Sequence, residues 1–138
     1  MKFWDSSAVI PLCLQEPSSE QVRAVLQADE DMVVWWSTRL ECLSALERRQ
    51  REGATESQLN ARSVLFALAT AWSEVLPSER LRQRAERLLA IHPLSTADAL
   101  QLAAALIWAE EAPQGLEVVC LDKNLRHGAL KEGFTCLP

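Results

Sequence analysis

Four acidic residues lie where the sequence passes from one kind of segment to another. Asp5 and Asp122 each follow an apolar segment, and Glu41 and Asp98 each lie in the first turn of a predicted helix. Carboxylate oxygens are the ligands that Mg²⁺ and Mn²⁺ prefer in proteins. If the four acids converge, the chemistry they predict is metal-assisted hydrolysis of phosphodiester bonds, in which a bound ion activates water and offsets charge on the phosphate.

Each acid, taken alone, also has a simpler interpretation. The segments TRLE at 38–41 and STAD at 95–98 fit the capping box, in which an acid bonds back to the start of its helix. Asp5 precedes two serines and fits a helix N-cap, and Asp122 fits a solvated turn. For any single acid, capping and a catalytic role both remain open.

The surroundings of the acids favour a shared site. Asp98 heads a helical stripe that continues through Leu102 and Ala105, so it belongs to a packed face. Asp5 lies between two apolar segments, where an unpaired carboxylate is costly. Acids that lie close together in a buried crevice repel one another unless a cation lies among them. The sequence therefore predicts a Mg²⁺ site, with Mn²⁺ as a possible substitute.

The elements that must position these acids alternate between strands and helices. Short apolar strands are predicted at 1–4, 32–36, 74–76, 116–121 and 134–137. Helices are predicted at 8–15, 20–28, 38–51, 55–72, 78–91, 95–111 and 125–131. This alternation predicts an α/β fold with a central parallel sheet flanked by helices. In such sheets ligands bind beyond the carboxyl ends of the strands, where Asp5 and Asp122 are expected.

Composition limits the class of protein. The chain has 138 residues, 49% apolar and 24% charged, which predicts a single soluble domain over 1–138. Its net charge of −5 argues against broad nonspecific binding to nucleic acid. The four cysteines lack metal-binding spacing and are expected to be core residues in a reducing compartment. Without an apolar run of membrane-spanning length or a signal peptide, we expect a cytoplasmic protein that does not bind membranes.

Four segments together resemble the PIN-domain nucleases, and within them the VapC-like toxins of toxin–antitoxin pairs. The similar segments are FWDSSAV at 3–9, STRLE at 37–41, LSTADALQLA at 94–103, and VVCLD at 118–122 with Gly133-Phe134. They span nearly the whole chain in the order and spacing of the family. The sequence departs from the family in carrying Trp35-Trp36 on its second strand, where smaller residues are more usual.

The resemblance implies both a fold and a function. It implies the PIN-like three-layer fold, with Asp5, Glu41, Asp98 and Asp122 as metal-binding catalytic acids and Ser7 as a supporting hydroxyl. The fourth acid is the least constant in the family. The implied activity is that of a Mg²⁺-dependent endoribonuclease toxin that acts on RNA, is restrained by a cognate antitoxin and forms a homodimer.

Two other functions and several secondary sites stay open at this stage. One function is a catalytically silent PIN-fold binding module acting through a protein partner. The other is a crevice phosphatase with Asp5 as nucleophile, although the usual DxD pair is missing because position 7 is Ser.

Trp108 is a candidate partner contact, and His92 is expected in a loop. The candidates for binding RNA phosphates are Lys123, Arg126, His127 and Lys131, whereas the arginines at 48–51 and 80–87 are expected mainly on solvated helix faces.

Overall fold

A computed structural model describes residues 1–53 and 58–138. Its strands in chain order are β1 Lys2–Trp4, β2 Met32–Trp35, β3 Ser73–Val75, β4 Glu117–Val119 and β5 Thr135–Leu137. Its helices are α1 Ser6–Cys13, α2 Ser19–Ala28, α3 Thr38–Arg51, α4 Gln58–Ala71, α5 Glu79–Ile91, α6 Thr96–Trp108 and α7 Lys123–Glu132.

The strands form one parallel sheet in the order β3-β2-β1-β4-β5. Phe3 of β1 is in register with Val33 of β2 on one side and Val118 of β4 on the other. The chain builds outward from β1 through β2 and β3, then crosses back to add β4 and β5 on the opposite side. This reversal places a topological switch point between β1 and β4, the position at which open α/β sheets bind ligands.

Helices cover both faces of the sheet, and side chains that alternate along each strand face them in turn. On one face Phe3, Val33 and Val118 pack with side chains from α5, α6 and α7. On the other, Trp4 and Val34 pack with side chains from α1 to α4. Each fully buried large apolar side chain contributes about 1.5–3 kcal/mol. The predicted three-layer α/β fold with a parallel sheet is confirmed.

Several element boundaries differ from the prediction. Helix α1 begins at Ser6 rather than at residue 8, because the Asp5 side chain caps it. Strand β4 ends at Val119, so Asp122 follows a two-residue loop instead of the strand itself. Helix α6 ends at Trp108 rather than near 111, because Glu110 and Glu111 adopt left-handed backbone conformations with φ of 51° and 60°. The predicted start of α4 at residue 55 lies outside the described residues.

The aromatic and cysteine side chains mostly lie in the core. Trp35 and Trp72 are buried, as are all four cysteines, which are free thiols. Trp108, the candidate partner contact, is half-buried and packs its ring against that of Phe3 at a centroid distance of 6.2 Å. Trp36 is 53% exposed beyond the end of β2.

Within the two described ranges, no single helix has the length and apolar character to cross a membrane. Helices α5 and α6 reach that length and apolar character only when they are counted together, and the chain bends by 119° between them.

Candidate functional site

Asp5 occupies the switch point directly. Its backbone N–H donates to the carbonyl of Val119 at 3.0 Å, which ties the end of β1 to the end of β4. The side chain is 3% exposed and caps α1. Its Oδ2 accepts hydrogen bonds from the Ser7 backbone N–H at 3.0 Å and from the Ser7 hydroxyl at 2.5 Å. Within the described part of the chain these donors use Oδ2 alone, which leaves Oδ1 as the oxygen for a further ligand.

The electrostatic surroundings of Asp5 are dominated by other acids. The pKa of its carboxyl group is raised to about 6: burial has the largest effect, the two Ser7 hydrogen bonds lower the pKa, and the carboxylates of Glu41 and Asp98 raise it. No positive charge is among the largest influences on this pKa. Three of the four predicted acids therefore share one electrostatic neighbourhood, and cations of the protein do not balance it.

Ser7 connects the first acid to the fourth. While it donates to Asp5, its hydroxyl oxygen accepts from the backbone N–H groups of Leu121 at 2.9 Å and Asp122 at 3.2 Å. A single hydroxyl thus holds the loop after β4 against the end of β1. The role of Ser7 as a supporting hydroxyl stays a prediction.

Glu41 is held by three side chains from three elements. Its Oε1 accepts from the Ser37 hydroxyl at 2.6 Å, and its Oε2 accepts from the Ser6 hydroxyl at 2.9 Å and from Gln101 Nε2 at 3.1 Å. These bonds replace the capping box, because the Glu41 carboxylate bonds side chains rather than the start of its own helix. The side chain is oriented between α1, α3 and α6.

Gln101 is a site residue that the sequence reading missed. It is 1% exposed, and its Nε2 also donates to the Thr38 hydroxyl at 3.1 Å. Its Oε1 is fully buried and has no hydrogen-bond partner among the described residues. Its spacing could have indicated a place in the site, because Gln101 lies three residues after Asp98 and therefore on the same helical face.

Asp98 lies in the first turn of α6, which packs on the face of the sheet opposite α1. The Ser95 hydroxyl accepts from the Asp98 backbone N–H at 3.1 Å, which forms half of the predicted capping box. In the described residues the Asp98 carboxylate has no hydrogen-bonded partner, and the side chain is half-buried. Its carboxylate therefore stays free beside Asp5.

Asp122 lies at the edge of this group. Its Oδ1 accepts from the Leu125 backbone N–H at 2.9 Å, so it caps α7. Both Asp5 and Asp122 face Cys120: burial, then the charge of Asp5 and, more weakly, that of Asp122 raise the pKa of this thiol. Asp122 thus adjoins Asp5 through Ser7 and Cys120 while also capping a helix, but it is not among the main influences on the pKa of Asp5.

The donor set fits a hard divalent cation in chemistry. Asp5, Glu41 and Asp98 offer carboxylate oxygens without a compensating cation, which suits Mg²⁺ or Mn²⁺ better than softer metals. Across residues 1–53 and 58–138, however, no group of three or more His, Cys, Asp or Glu side chains is arranged so that it could hold a metal ion. Asp5, Glu41 and Asp98 are therefore electrostatic neighbours that do not form a metal-binding cluster in this arrangement.

The basic candidates divide into internal and exposed groups. Arg126 donates to the backbone carbonyls of Cys120 at 3.2 Å and Cys136 at 3.1 Å, so it joins the ends of β4 and β5. Arg84 pairs with Glu111 and Glu132. His92 lies in the loop directly after α5, as expected, where it is buried and contacts Glu132 at 2.7 Å. Lys123, His127 and Lys131 remain exposed beside Asp122.

Comparison with known proteins places this geometry in context. A sequence model of the PIN domain matches residues 2–131. A search of curated proteins found no match. Among solved structures, a toxin–antitoxin complex from Klebsiella pneumoniae matches with a TM-score of 0.66 at 17% identity, covering 90% of this chain and 89% of that one.

Two further solved structures have the same fold. VapC20 of Mycobacterium tuberculosis, described as a toxin that cleaves the sarcin–ricin loop, matches with a TM-score of 0.67 at 16% identity over 92% of this chain and 94% of its own. FitAcB from Neisseria gonorrhoeae matches with a TM-score of 0.66 at 14% identity over 100% and 97%.

Proposed function

The chain belongs to the PIN-domain family, and from that membership we propose that it is a Mg²⁺-dependent endoribonuclease acting as the toxin of a toxin–antitoxin pair. The observation that carries the proposal is the buried Asp5 carboxyl group, whose pKa is raised by burial and by the neighbouring Glu41 and Asp98 carboxylates. A protein that keeps three acids together without a cation of its own has a strong electrostatic reason to bind a metal ion.

The residues of the chain take distinct roles in this proposal. Asp5, Glu41 and Asp98 hold the ion, and Asp122 supports the same site from the start of α7. When bound, Mg²⁺ supplies an activated water and offsets negative charge on the phosphate, with Mn²⁺ as a substitute. Ser7 orients Asp5, and Gln101 orients Glu41 through the hydrogen bonds given above.

The proposal includes a protein partner and a compartment. The solved toxin–antitoxin complex with this fold supports a cognate antitoxin as the natural inhibitor. Exposed apolar side chains such as Phe66, Leu76 and Ile91 offer surface for a homodimer or for the antitoxin. Free, buried thiols and an RNA substrate are consistent with action in the cytoplasm.

Cleavage of RNA by the purified chain tests the activity. We expect cleavage with Mg²⁺ or Mn²⁺, loss of cleavage in EDTA, and at least 100-fold slower cleavage by Asp5→Asn and Asp98→Asn, an order of magnitude typical for removing one group that stabilises the transition state. The exposed Asp31, which lies on the loop before β2, provides the matched control Asp31→Asn. Equal rates for all three variants would remove the assignment of the site.

A second function, a catalytically silent binding module, has one observation in its favour. Among the residues that the structure describes, no group of three or more acids, histidines or cysteines is arranged so that it could hold a metal ion. This alternative predicts no heat of Mg²⁺ binding by calorimetry and partner binding that is indifferent to Asp5→Asn. The nuclease proposal predicts the opposite result in the calorimeter.

A further inference from the structure

A groove lined by basic side chains lies beside the acidic site. The groove has a volume of about 260 Å³ and is lined by His92, Pro93, Lys123, Asn124, His127, Gly128 and Lys131. It begins next to Asp122, because Lys123 is the following residue and the first of α7. Among the residues that the structure describes, no carboxylate lines it. In a chain with a net charge of −5, this concentration of basic side chains is a local exception.

The cations of the groove are available for a ligand. Of the three lysines in the chain, Lys2 is bound by Asp29 and Glu117, and the other two line the groove. In the described part of the chain, Lys123, His127 and Lys131 form no ion pair, and all three are exposed. Glu132, the acid next to Lys131, is already bound by Arg84 and His92, and Asp122, the acid next to Lys123, caps α7.

The helix spaces these basic side chains regularly. Lys123, His127 and Lys131 follow one another at intervals of four residues, so they lie on one face of α7. At 1.5 Å per residue, the row extends about 12 Å away from the acid site. With stacked nucleotides advancing about 3.4 Å each along a strand, the row has the length of about four consecutive phosphates. Gly128 forms part of the floor of the groove. Because it has no side chain, α7 can pack closely against α6; a Cβ added at this position would lie 3.1 Å from Leu102 Cδ2.

We propose that this groove is the backbone-binding subsite for the RNA strand on one side of the cleaved bond, with Lys123 and Lys131 contacting phosphates. This inference rests on the proposed nuclease function, because the adjoining acid group is where the scissile phosphate would lie. An RNA strand is favoured over an acidic peptide because the row of cations leads directly away from that position. Phosphate contacts of this kind are independent of base sequence.

The salt dependence of RNA binding tests the subsite. Binding of a labelled single-stranded RNA of about 12 nucleotides is measured by fluorescence anisotropy at several salt concentrations, using Asp5→Asn protein so that the RNA stays intact. Each phosphate contact on a single strand contributes about 0.7 to the slope of log K against log salt. We expect Lys123→Gln/Lys131→Gln, added to that background, to reduce the slope by about 1.4 and weaken binding on the order of 10-fold at 0.1 M salt.

The control pair is Arg48→Gln/Arg51→Gln, which removes two exposed cations from the end of α3 on the other face of the sheet. An equal loss of slope in this control would show a bulk charge effect and overturn the assignment. So would an unchanged slope in the lysine variant, or stronger competition by polyglutamate for the groove than by RNA. If the Asp5→Asn protein binds no RNA at all, the proposed function fails, and the subsite fails with it. Circular dichroism melting checks that both pairs of variants fold.

Discussion

Asp5 combines two roles that usually belong to different residues. Its Oδ2 caps α1 by accepting from the Ser7 N–H, while its carboxyl group lies almost without solvent beside Glu41 and Asp98. Capping stabilises the fold, whereas burying an acid near other acids destabilises it. Such a conflict between stability and local charge is a common property of functional sites.

The cost of this arrangement can be measured through pH. The pKa of Asp5 in the folded protein is about 6, against an ordinary 3.8. Since the folded pKa is raised, ionisation destabilises the metal-free protein, and stability is lost as pH rises from about 4 through about 6. The difference corresponds to about 3 kcal/mol at most. We expect Asp5→Asn to remove this loss, so that in EDTA the variant gains stability relative to the parent at pH 7.5 and little at pH 4, as measured by urea denaturation.

Asp29 provides a control of opposite sign. Hydrogen bonds from the N-terminal amino group and from Lys2 hold the pKa of its carboxyl group well below its usual range. Because the folded pKa is lowered, this acid stabilises the protein above its ordinary pKa, and the contribution is lost as pH falls. Asp29→Asn should therefore lower stability at pH 7.5, with a smaller loss at acidic pH. The same sign for both variants would contradict the electrostatic explanation.

Gln101 is expected to act as a positioning residue for Glu41. Gln101→Leu keeps most of the side-chain volume but removes the hydrogen bonds to Glu41 and Thr38. Loss of a buried hydrogen bond costs about 1–3 kcal/mol. We expect weaker Mg²⁺ binding by calorimetry as well as lower stability. Leu106→Ala, a substitution in the core of the same helix, should lower stability without changing the affinity for Mg²⁺; a similar affinity loss there would assign Gln101 a purely structural role.

At the scale of elements, the first turns of α1, α3, α6 and α7 converge at the carboxyl edge of the sheet. Asp5, Glu41, Asp98 and Asp122 each stand at or within the first turn of one of these helices. Acids are favoured there by the helix dipole, which offsets part of their mutual repulsion. The helices therefore help to stabilise the charge that their own positions bring together.

Helix α7 allows capping and charge at Asp122 to be separated. Asn caps helices about as well as Asp, whereas replacing the cap with Ala costs about 0.5–2 kcal/mol. Asp122→Asn should leave thermal stability nearly unchanged, and Asp122→Ala should reduce it. We expect both variants to slow RNA cleavage, but less than Asp5→Asn does. Full activity in Asp122→Asn would show that this residue serves α7 alone.

For the whole molecule, the proposed metal binding would be coupled to folding. The proposed ligands come from the end of β1 and from helices on both faces of the sheet, so they are together only in the folded chain. A ligand present at about 100 times its Kd stabilises the folded state by about 2.7 kcal/mol. For a domain of this size we expect Mg²⁺ to raise the Tm by roughly 5–10 °C in the parent. Differential scanning calorimetry of Asp5→Asn should show little increase.

The sequence by itself determined the order of elements and the identity of the acids. Its strands are short and apolar, and its helices carry apolar residues at regular helical spacing. Such patterns can be read from the sequence because they depend only on residues close together in the chain. That pattern led to the three-layer parallel fold and to the four acids at element boundaries. Their neighbours in sequence, such as Ser7 beside Asp5, were also open to prediction because they belong to the same turn.

Only the tertiary structure decided which groups surround each acid. Gln101 and Ser6 reach Glu41 from helices on opposite faces of the sheet, across 60 and 35 residues of chain, and no local pattern specifies such contacts. The same is true of Arg126, which looks like an exposed cation in the sequence but binds carbonyls at the ends of β4 and β5. Tertiary packing buries Asp5, and burial is the main cause of its raised pKa. The electrostatic properties of the site therefore depend on the assembly of the sheet and both helical layers.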